Sequence, residues 1–287
     1  MSEVRELVRV ELSGEDLLEV SRGPPPPIEE GERLVEVDSL LVSPIDVALS
    51  RLSSSTRPGI LFSGRTLEAE GSSSEKVIRR PSSCRAISRE LARRCYGGEL
   101  SCSPTDELVV SSRKLRWPAL QFIYESLIAA RDAIEGRSLL VSGLGLQGKL
   151  MSLLLEGRIS VYPPQRRAPS SLPVNFVSSE EVKERSWDVV IAWTLDQGLI
   201  SEALSLVQDP ATIVVAPIVN CFASLPLDNL RRARVRVAWP DRPFDEEDSR
   251  LLEELEERAL ALGDVEFVHF SELPARMRRP YVIVKFD

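Results

Sequence analysis

"LLVSGLGLQGKLMSLLL", Leu139 to Leu155, sets Gly143, Gly145 and Gly148 between two apolar runs of different spacing. Ser138 to Val141 form a short, nearly unbroken apolar segment, the pattern of a strand covered on both faces. The second run reads as a helix beginning near Gly148. A strand that turns through G-x-G-x-x-G into a helix is a phosphate-binding fingerprint, and each glycine has its own reason. Gly143 permits the tight turn, Gly145 lets the backbone approach a pyrophosphate, and Gly148 lets the helix pack close. Leu144, Leu146 and Gln147 complete the loop. N–H groups at the start of the helix would face the phosphates, and the helix dipole favours an anion there. The alternative is a tight turn kept for packing alone.

The second half of the fingerprint departs from the pattern. A site for a dinucleotide with an unmodified ribose usually has Asp or Glu about 20 residues after the first glycine, where its carboxylate accepts from the ribose hydroxyls. Here that position is Pro163, and "VYPPQRR" (Val161 to Arg167) holds no acid. Arg166 and Arg167 follow instead. Two guanidinium groups suit a 2′-phosphate, as in NADP, while a solvated basic loop explains the same residues; both readings stand.

With 287 residues, 43% of them apolar, the chain can bury a substantial core and suggests about two domains. No apolar run approaches the roughly 20 residues of a membrane span, and "MSEVRELVRVELSG" lacks the basic-then-apolar order of a secretory signal. A cytoplasmic protein is expected. The formal charge of −8 disfavours a general nucleic-acid role, which rests on Lys and Arg neutralising phosphates. "RRARVR" (Arg231 to Arg236) alternates Arg with Val, the mark of a strand with one solvated face. His269, the only histidine, lies in the apolar strand pattern "VEFVHF" and is expected to be a satisfied strand residue.

The first hundred residues alternate period-two stretches such as "ELVRVEL" and "RLVEVDSLLVS" with breaks such as "SRGPPPPIEEGE", which predicts an irregular β domain. "SSCRAISRELARRCYGGELSC" has a helix-compatible middle. At Pro118 the texture changes. "PALQFIYESLIAARDAIEG" predicts a helix to Gly136, with Leu120, Ile123, Tyr124, Leu127 and Ile128 on one face. Beyond it, apolar strands ("SLLVSG", "ISVYP", "WDVVIAWT", "TIVVAPI", "VRVAWP") alternate with helical patterns, which calls for a doubly wound parallel sheet, an α/β fold. A charged amphipathic helix, "EEDSRLLEELEERALALG", precedes "VEFVHF" and the closing strand "YVIVKF".

Together, the β-rich start, the bridging helix "ALQFIYESLIAARDAI", "LLVSGLGLQG" and "YVIVKF" resemble the medium-chain dehydrogenase/reductase superfamily, which includes zinc alcohol dehydrogenases and zinc-free quinone reductases. "GERLVEVDSLLVSPIDVALSR", "DELVVSSRKLRWP" and "LSLVQDPATIVVAPI" are similar to its early segment, to the strand before its bridging helix, and to a late helix and strand of its Rossmann domain. The resemblance implies a GroES-like catalytic-type domain from residues 1–117 and 245–287, a Rossmann domain over 118–244, and an active-site cleft at their junction.

The resemblance also marks departures. Zinc-dependent members carry a cysteine ligand three residues before an aspartate, and "SPID" puts Ser43 there with Asp46 retained. Their Gly-His-Glu corresponds to "GRT", so Arg65 replaces the histidine and Thr66 the acid. Neither catalytic zinc nor structural zinc is expected, since zinc wants thiolate, imidazole and carboxylate ligands, and the cysteines in the lobe region, Cys84, Cys95 and Cys102, are widely spaced. Reduced thiols are the default for a cytosolic chain, with a Cys95–Cys102 disulfide the variant for a hyperthermophile. "SPID" is closer to the asparagine-proline-x-aspartate of the quinone-reductase branch, whose members transfer hydride from NADPH to a conjugated carbonyl without metal. The helix after Gly148 is about one turn shorter than is usual in the family.

Two functional readings follow. One is a zinc-independent NADP(H) oxidoreductase acting on a small carbonyl or alcohol, with the glycine loop on the pyrophosphate, Arg166 or Arg167 on the 2′-phosphate, and Ser43 and Arg65 near the substrate. The other is a non-catalytic descendant acting as a binding or assembly subunit. A homodimer is expected, and "TIVVAPIVNCF" is a candidate interface edge, although core burial explains the same residues.

Overall fold

The computed structural model describes residues 6–13, 16–50, 57–67, 75–81, 83–84, 98–112, 114–156, 158–164, 172–208, 210–222, 233–242 and 245–286. The chain divides into two compact units, Met1–Phe122 with Ser249–Asp287, and Ile123–Asp248. Arg166, Arg167 and Cys95 lie outside the described residues, as does most of the helix-compatible stretch after Cys84.

The first unit is built on β1 (Leu7–Ser13), β2 (Leu17–Gly23), β3 (Glu32–Val42), α1 (Pro44–Ser50), β4 (Leu61–Thr66), β5 (Lys76–Arg79), β6 (Leu100–Pro104) and β7 (Leu108–Val110). The two-residue alternation of "LVRVELS" puts Val10 and Leu12 inside, and Leu18 of β2 joins them. β3 is the long central strand. It runs antiparallel to β4 and β6, with a register shift between Val37 and Ser39. Past that shift Leu40, Leu41 and Val42 are all buried, so this end of the strand is covered on both faces. Arg79 and Glu107 form a fully buried ion pair at 3.0 Å, and the guanidinium also donates to the Ile60 carbonyl at 3.1 Å. Removing either partner would strand a buried charge.

The bridging segment opens with a 3-10 turn at Pro118–Leu120 and continues as α2 (Gln121–Arg131). It ends earlier than Gly136, which instead adopts φ 82° in the turn before the next strand. The five predicted face residues are all buried, but so are Gln121, Glu125 and Ser126, so the helix is covered nearly all round. Its N-terminus is capped from afar: Glu256 accepts from the backbone N–H of Arg116 at 2.8 Å and of Trp117 at 2.7 Å.

The second unit carries β8 (Ser138–Val141), α3 (Leu146–Leu154), β9 (Ile159–Tyr162), β10 (Asn175–Phe176), α4 (Ser179–Glu184), β11 (Val189–Ala192), α5 (Gln197–Leu206), β12 (Thr212–Val215), α6 (Pro217–Phe222) and β13 (Arg234–Val237). Its six strands are all parallel, in the order β10-β9-β8-β11-β12-β13. That is the 3-2-1-4-5-6 order of the Rossmann fold, with the reversal between β8 and β11. The unbroken apolar runs follow from burial on both faces. β12 is not an edge: it pairs with β11 and β13, and Ile213 to Val215 are buried, so core packing accounts for "TIVV". β13 is the edge, and it departs from a one-faced pattern because Val235 is exposed along with Arg234 and Arg236. Arg242 bridges Asp132 at 2.8 Å and Asp248 at 3.0 Å, which holds the Asp248 carboxyl below its ordinary pKa.

The chain then returns to the first unit through α7 (Glu246–Leu262), β14 (Val265–His269), β15 (Ala275–Arg276) and β16 (Tyr281–Lys285). β16 lies between β14, to which it is parallel, and β3, to which it is antiparallel. β15 adds to the edge of β2. Among the described residues no helix is long and apolar enough to cross a membrane.

Candidate functional site

The β8–α3 turn falls where the order of the parallel sheet reverses, the place at which open α/β sheets bind ligands. β8 ends at Val141. The buried Ser142 follows, and its Oγ accepts from the Leu144 N–H at 3.2 Å, closing a tight turn. Leu144 takes the left-handed conformation, φ 49°, which costs an L-residue about 1–2 kcal/mol. α3 starts at Leu146, two residues before the expected start, and its N-cap is Gly145, which has no side chain with which to cap the first turn. Gln147 is therefore the second helical residue.

The three glycines separate by cause. A Cβ on Gly148 would lie 2.4 Å from the Ser142 Oγ, so this glycine is required by close packing of helix on strand. Gly143 and Gly145 are different. A Cβ on either meets nothing within 4 Å among the described residues, and neither has a positive φ. Both are exposed. Neither packing nor conformation within the protein asks for glycine at these two positions, whereas an anion drawn against the backbone would.

Two side chains flank the turn that sequence reasoning missed. Trp193 follows β11, with its backbone N–H on the Val141 carbonyl at 3.0 Å and its indole Nε1 on the Gln147 Oε1 at 2.7 Å. Tyr162 ends β9, and its hydroxyl bonds the Ser179 Oγ at 3.1 Å and donates to Glu202 on α5. Burial and the Glu202 carboxylate push the phenol pKa up. An acid does reach the end of β9, but from 40 residues further along the chain rather than from the position of Pro163.

In the first unit, "SPID" folds as a helix start. Pro44 is the first residue of α1, the Ser43 carbonyl accepts from Val47, and the Asp46 carboxylate reaches back to the Ser43 N–H at 2.8 Å. The Ser43 hydroxyl also donates to Asp46, at 2.7 Å, and the Gly59 N–H donates to its other oxygen at 3.1 Å. Burial pushes the Asp46 pKa up to about 6, against the pull of these hydrogen bonds. Ser43 is buried, its hydroxyl held by Asp46. Arg65 is exposed on β4, between Glu36 of β3 and Lys76 of β5. Thr66 is buried beside it, and its Oγ1 has no hydrogen-bond partner among the described residues.

Metal-binding chemistry is poorly served by these positions. Hydroxyls and a guanidinium replace thiolate, imidazole and carboxylate, and His269 turns its Nδ1 to Ser271 at 2.6 Å at the end of β14. Among the described residues no group of three or more His, Cys, Asp or Glu is placed to hold a metal ion. Cys102 is buried, in no disulfide, and directs its thiol at the Pro27 carbonyl, which excludes a Cys95–Cys102 disulfide. Cys84 is disulfide-bonded, and so is Cys221, which corrects the expectation of reduced thiols throughout.

No protein-family model matches the sequence, and no curated protein matches it. Solved structures do match over nearly the whole chain. Benzyl alcohol dehydrogenase from Acinetobacter calcoaceticus is 12% identical, with a TM-score of 0.65 over 99% of this chain and 100% of that one. Glucose dehydrogenase from Haloferax mediterranei, in a complex with NADP, Zn and gluconolactone, is 16% identical, with a TM-score of 0.62 over 98% of this chain and 99% of that one. The quinone oxidoreductase from Coxiella burnetii is 15% identical, with a TM-score of 0.59 over 99% and 100%. At these identities the likeness is one of fold. The chain has the fold of the medium-chain dehydrogenases and reductases, a GroES-like β unit and a Rossmann unit.

Proposed function

We propose that this protein is a zinc-independent, NADP(H)-dependent oxidoreductase that transfers hydride to or from a small carbonyl or alcohol. The observation that carries the reading is the pair Gly143 and Gly145, exposed, without a positive φ, and with room for a Cβ among the described residues at the N-terminus of α3. The loop Gly143-Leu144-Gly145-Leu146-Gln147-Gly148 would hold the pyrophosphate by backbone N–H groups, with the dipole of α3 adding to the attraction. Arg166 and Arg167 would meet the 2′-phosphate. When bound, the nicotinamide would donate or accept the hydride, so the protein's work is to bind, orient and exclude water. Ser43 and Arg65 stand on the substrate side in this reading, Arg65 as an exposed cation able to polarise a carbonyl oxygen. Zinc independence rests on the donor set at these positions.

Titration calorimetry with NADPH and NADH, on the native chain and on Gly145→Val, tests the proposal. An arginine–phosphate contact of about 1–3 kcal/mol gives NADPH an advantage of about fivefold to 150-fold. A Cβ at 145 meets no described atom within 4 Å, so valine should block the space over the loop and binding should collapse while far-UV circular dichroism stays unchanged. Tighter binding of NADH would remove the arginine assignment. Absence of binding by either cofactor at millimolar concentration would leave the non-catalytic reading.

A further inference from the structure

We infer that Trp193 and Gln147 form a latch that decides how much of a nucleotide the crevice accepts. Phosphates and adenosine enter freely, and the second nucleoside enters only when the latch opens. The inference rests on the nucleotide reading of the glycine loop.

The strand order places the parts. A dinucleotide on a doubly wound sheet lies across the carboxyl ends of the strands at the reversal, its phosphates at the first strand-to-helix turn, the adenosine toward the second strand and the other nucleoside toward the fourth. In this chain those strands are β8, β9 and β11. Trp193 is the first residue beyond β11, where Ala192 pairs with Val141 at the end of β8. Its indole reaches across to Gln147 in the first turn of α3, with Nε1 and Oε1 2.7 Å apart. Trp193 is 6% exposed, although Gly143 and Gly145 near it are open. A six-atom-and-five-atom ring system therefore spans the side of the turn that the second nucleoside has to cross, whereas at the end of β9 the Tyr162 hydroxyl turns to Ser179 and Glu202 and makes no bridge to α3 among the described residues.

Opening the latch breaks a neutral hydrogen bond and leaves a buried indole N–H and a Gln oxygen to be satisfied anew. The net contribution of such a bond corresponds to about a twofold to tenfold change in affinity. The second nucleoside contributes that much less to binding than it would with the crevice open. Trp193 and Gln147 thus set specificity between whole dinucleotides and their adenosine halves, without touching the adenosine.

Adenosine 2′,5′-bisphosphate and NADPH, titrated against the native chain, Trp193→Phe and Gln147→Ala, test this. Both substitutions remove the indole–amide bond, and Phe keeps most of the ring. NADPH affinity should rise threefold to tenfold in each variant, and in Trp193→Phe, which leaves the glycine loop intact, the bisphosphate should stay unchanged within twofold. On the native chain, the Trp193 Nε1–H resonance should move on addition of NADPH and stay in place with the bisphosphate, a measurement that does not depend on the variants folding. An unchanged affinity ratio, weaker NADPH binding in Trp193→Phe, or an indole resonance that moves equally with both ligands would overturn the latch alone. Failure of both ligands to bind any of the three proteins would overturn the nucleotide reading beneath it.

Discussion

Asp46 should make the first unit more stable in mild acid than at neutral pH. Its carboxyl is buried, with pKa about 6 in the fold against an ordinary 3.8, because the cost of burying the charge outweighs the bonds from Ser43 and Gly59. A carboxyl with a raised pKa holds its proton more tightly when folded than when unfolded, so between about pH 4 and pH 6 the folded state binds more protons. Stability from this group is therefore fully present below pH 4 and is lost as pH rises through about 6. At 1.36 kcal/mol for each tenfold, the gap between the two pKa values amounts to about 3 kcal/mol. The perturbation that isolates it is Asp46→Asn, which cannot ionise. Urea unfolding of both proteins from pH 4 to pH 7 gives the difference in stability at each pH, in which every other titrating group cancels. Relative to the variant, the native chain should lose about 3 kcal/mol across that range. A difference flat to within 1 kcal/mol, or one that runs the opposite way, would refute the assignment of burial as the dominant cause.

Replacing Glu256 with Ala leaves the N–H groups of Arg116 and Trp117 without their acceptor and should destabilise the first unit by about 2–4 kcal/mol in urea unfolding, with Gln losing about half of that. A loss under 0.5 kcal/mol for Ala would show that water replaces the carboxylate. Gly148→Ala should cost about 1–2 kcal/mol, because relieving the contact with the Ser142 Oγ requires rotating a buried hydroxyl away from the Leu144 N–H. Gly143→Ala, with open space above it, should leave the unfolding midpoint unchanged, and a matching loss in both variants would refute the separation of packing glycine from ligand glycine.

What the sequence made legible was local. The strand–turn–helix at Leu139 to Leu154 is written in consecutive residues, and so are the buried strands, since an apolar run covered on both faces needs no knowledge of its neighbours. The short α3 was legible for the same reason. The helix start at Ser43 was also written there and went unread: serine, proline and an acid three residues after the serine are its elements. Trp193 and Glu202 carried no such signal, because each matters only through a partner, Gln147 or Tyr162, that the fold delivers from far along the chain. α2 misled in the opposite sense. Gln121 and Glu125 mark a polar face by type, yet both are buried, and the Gln121 amide oxygen holds the Ser112 N–H at 2.9 Å. Periodicity records side-chain chemistry, and tertiary hydrogen bonding can cover a polar face as readily as an apolar one.

The place of β16 between β14 and β3 governs how the molecule is born. Val42 and Val282 are strand partners, so a ribosome delivers one about 240 residues before the other. At 5–20 residues per second, β3 waits on the order of 10–50 s for the strand that completes its sheet. All six strands of the Rossmann unit emerge during that interval from one uninterrupted stretch, Ile123 to Asp248, and can assemble as they appear. The β unit that comes first in the sequence is thus the one that finishes last, and through that wait, among the described residues, Leu41 has β4 as its only strand neighbour and Val42 has none, although both end up shielded in the interior.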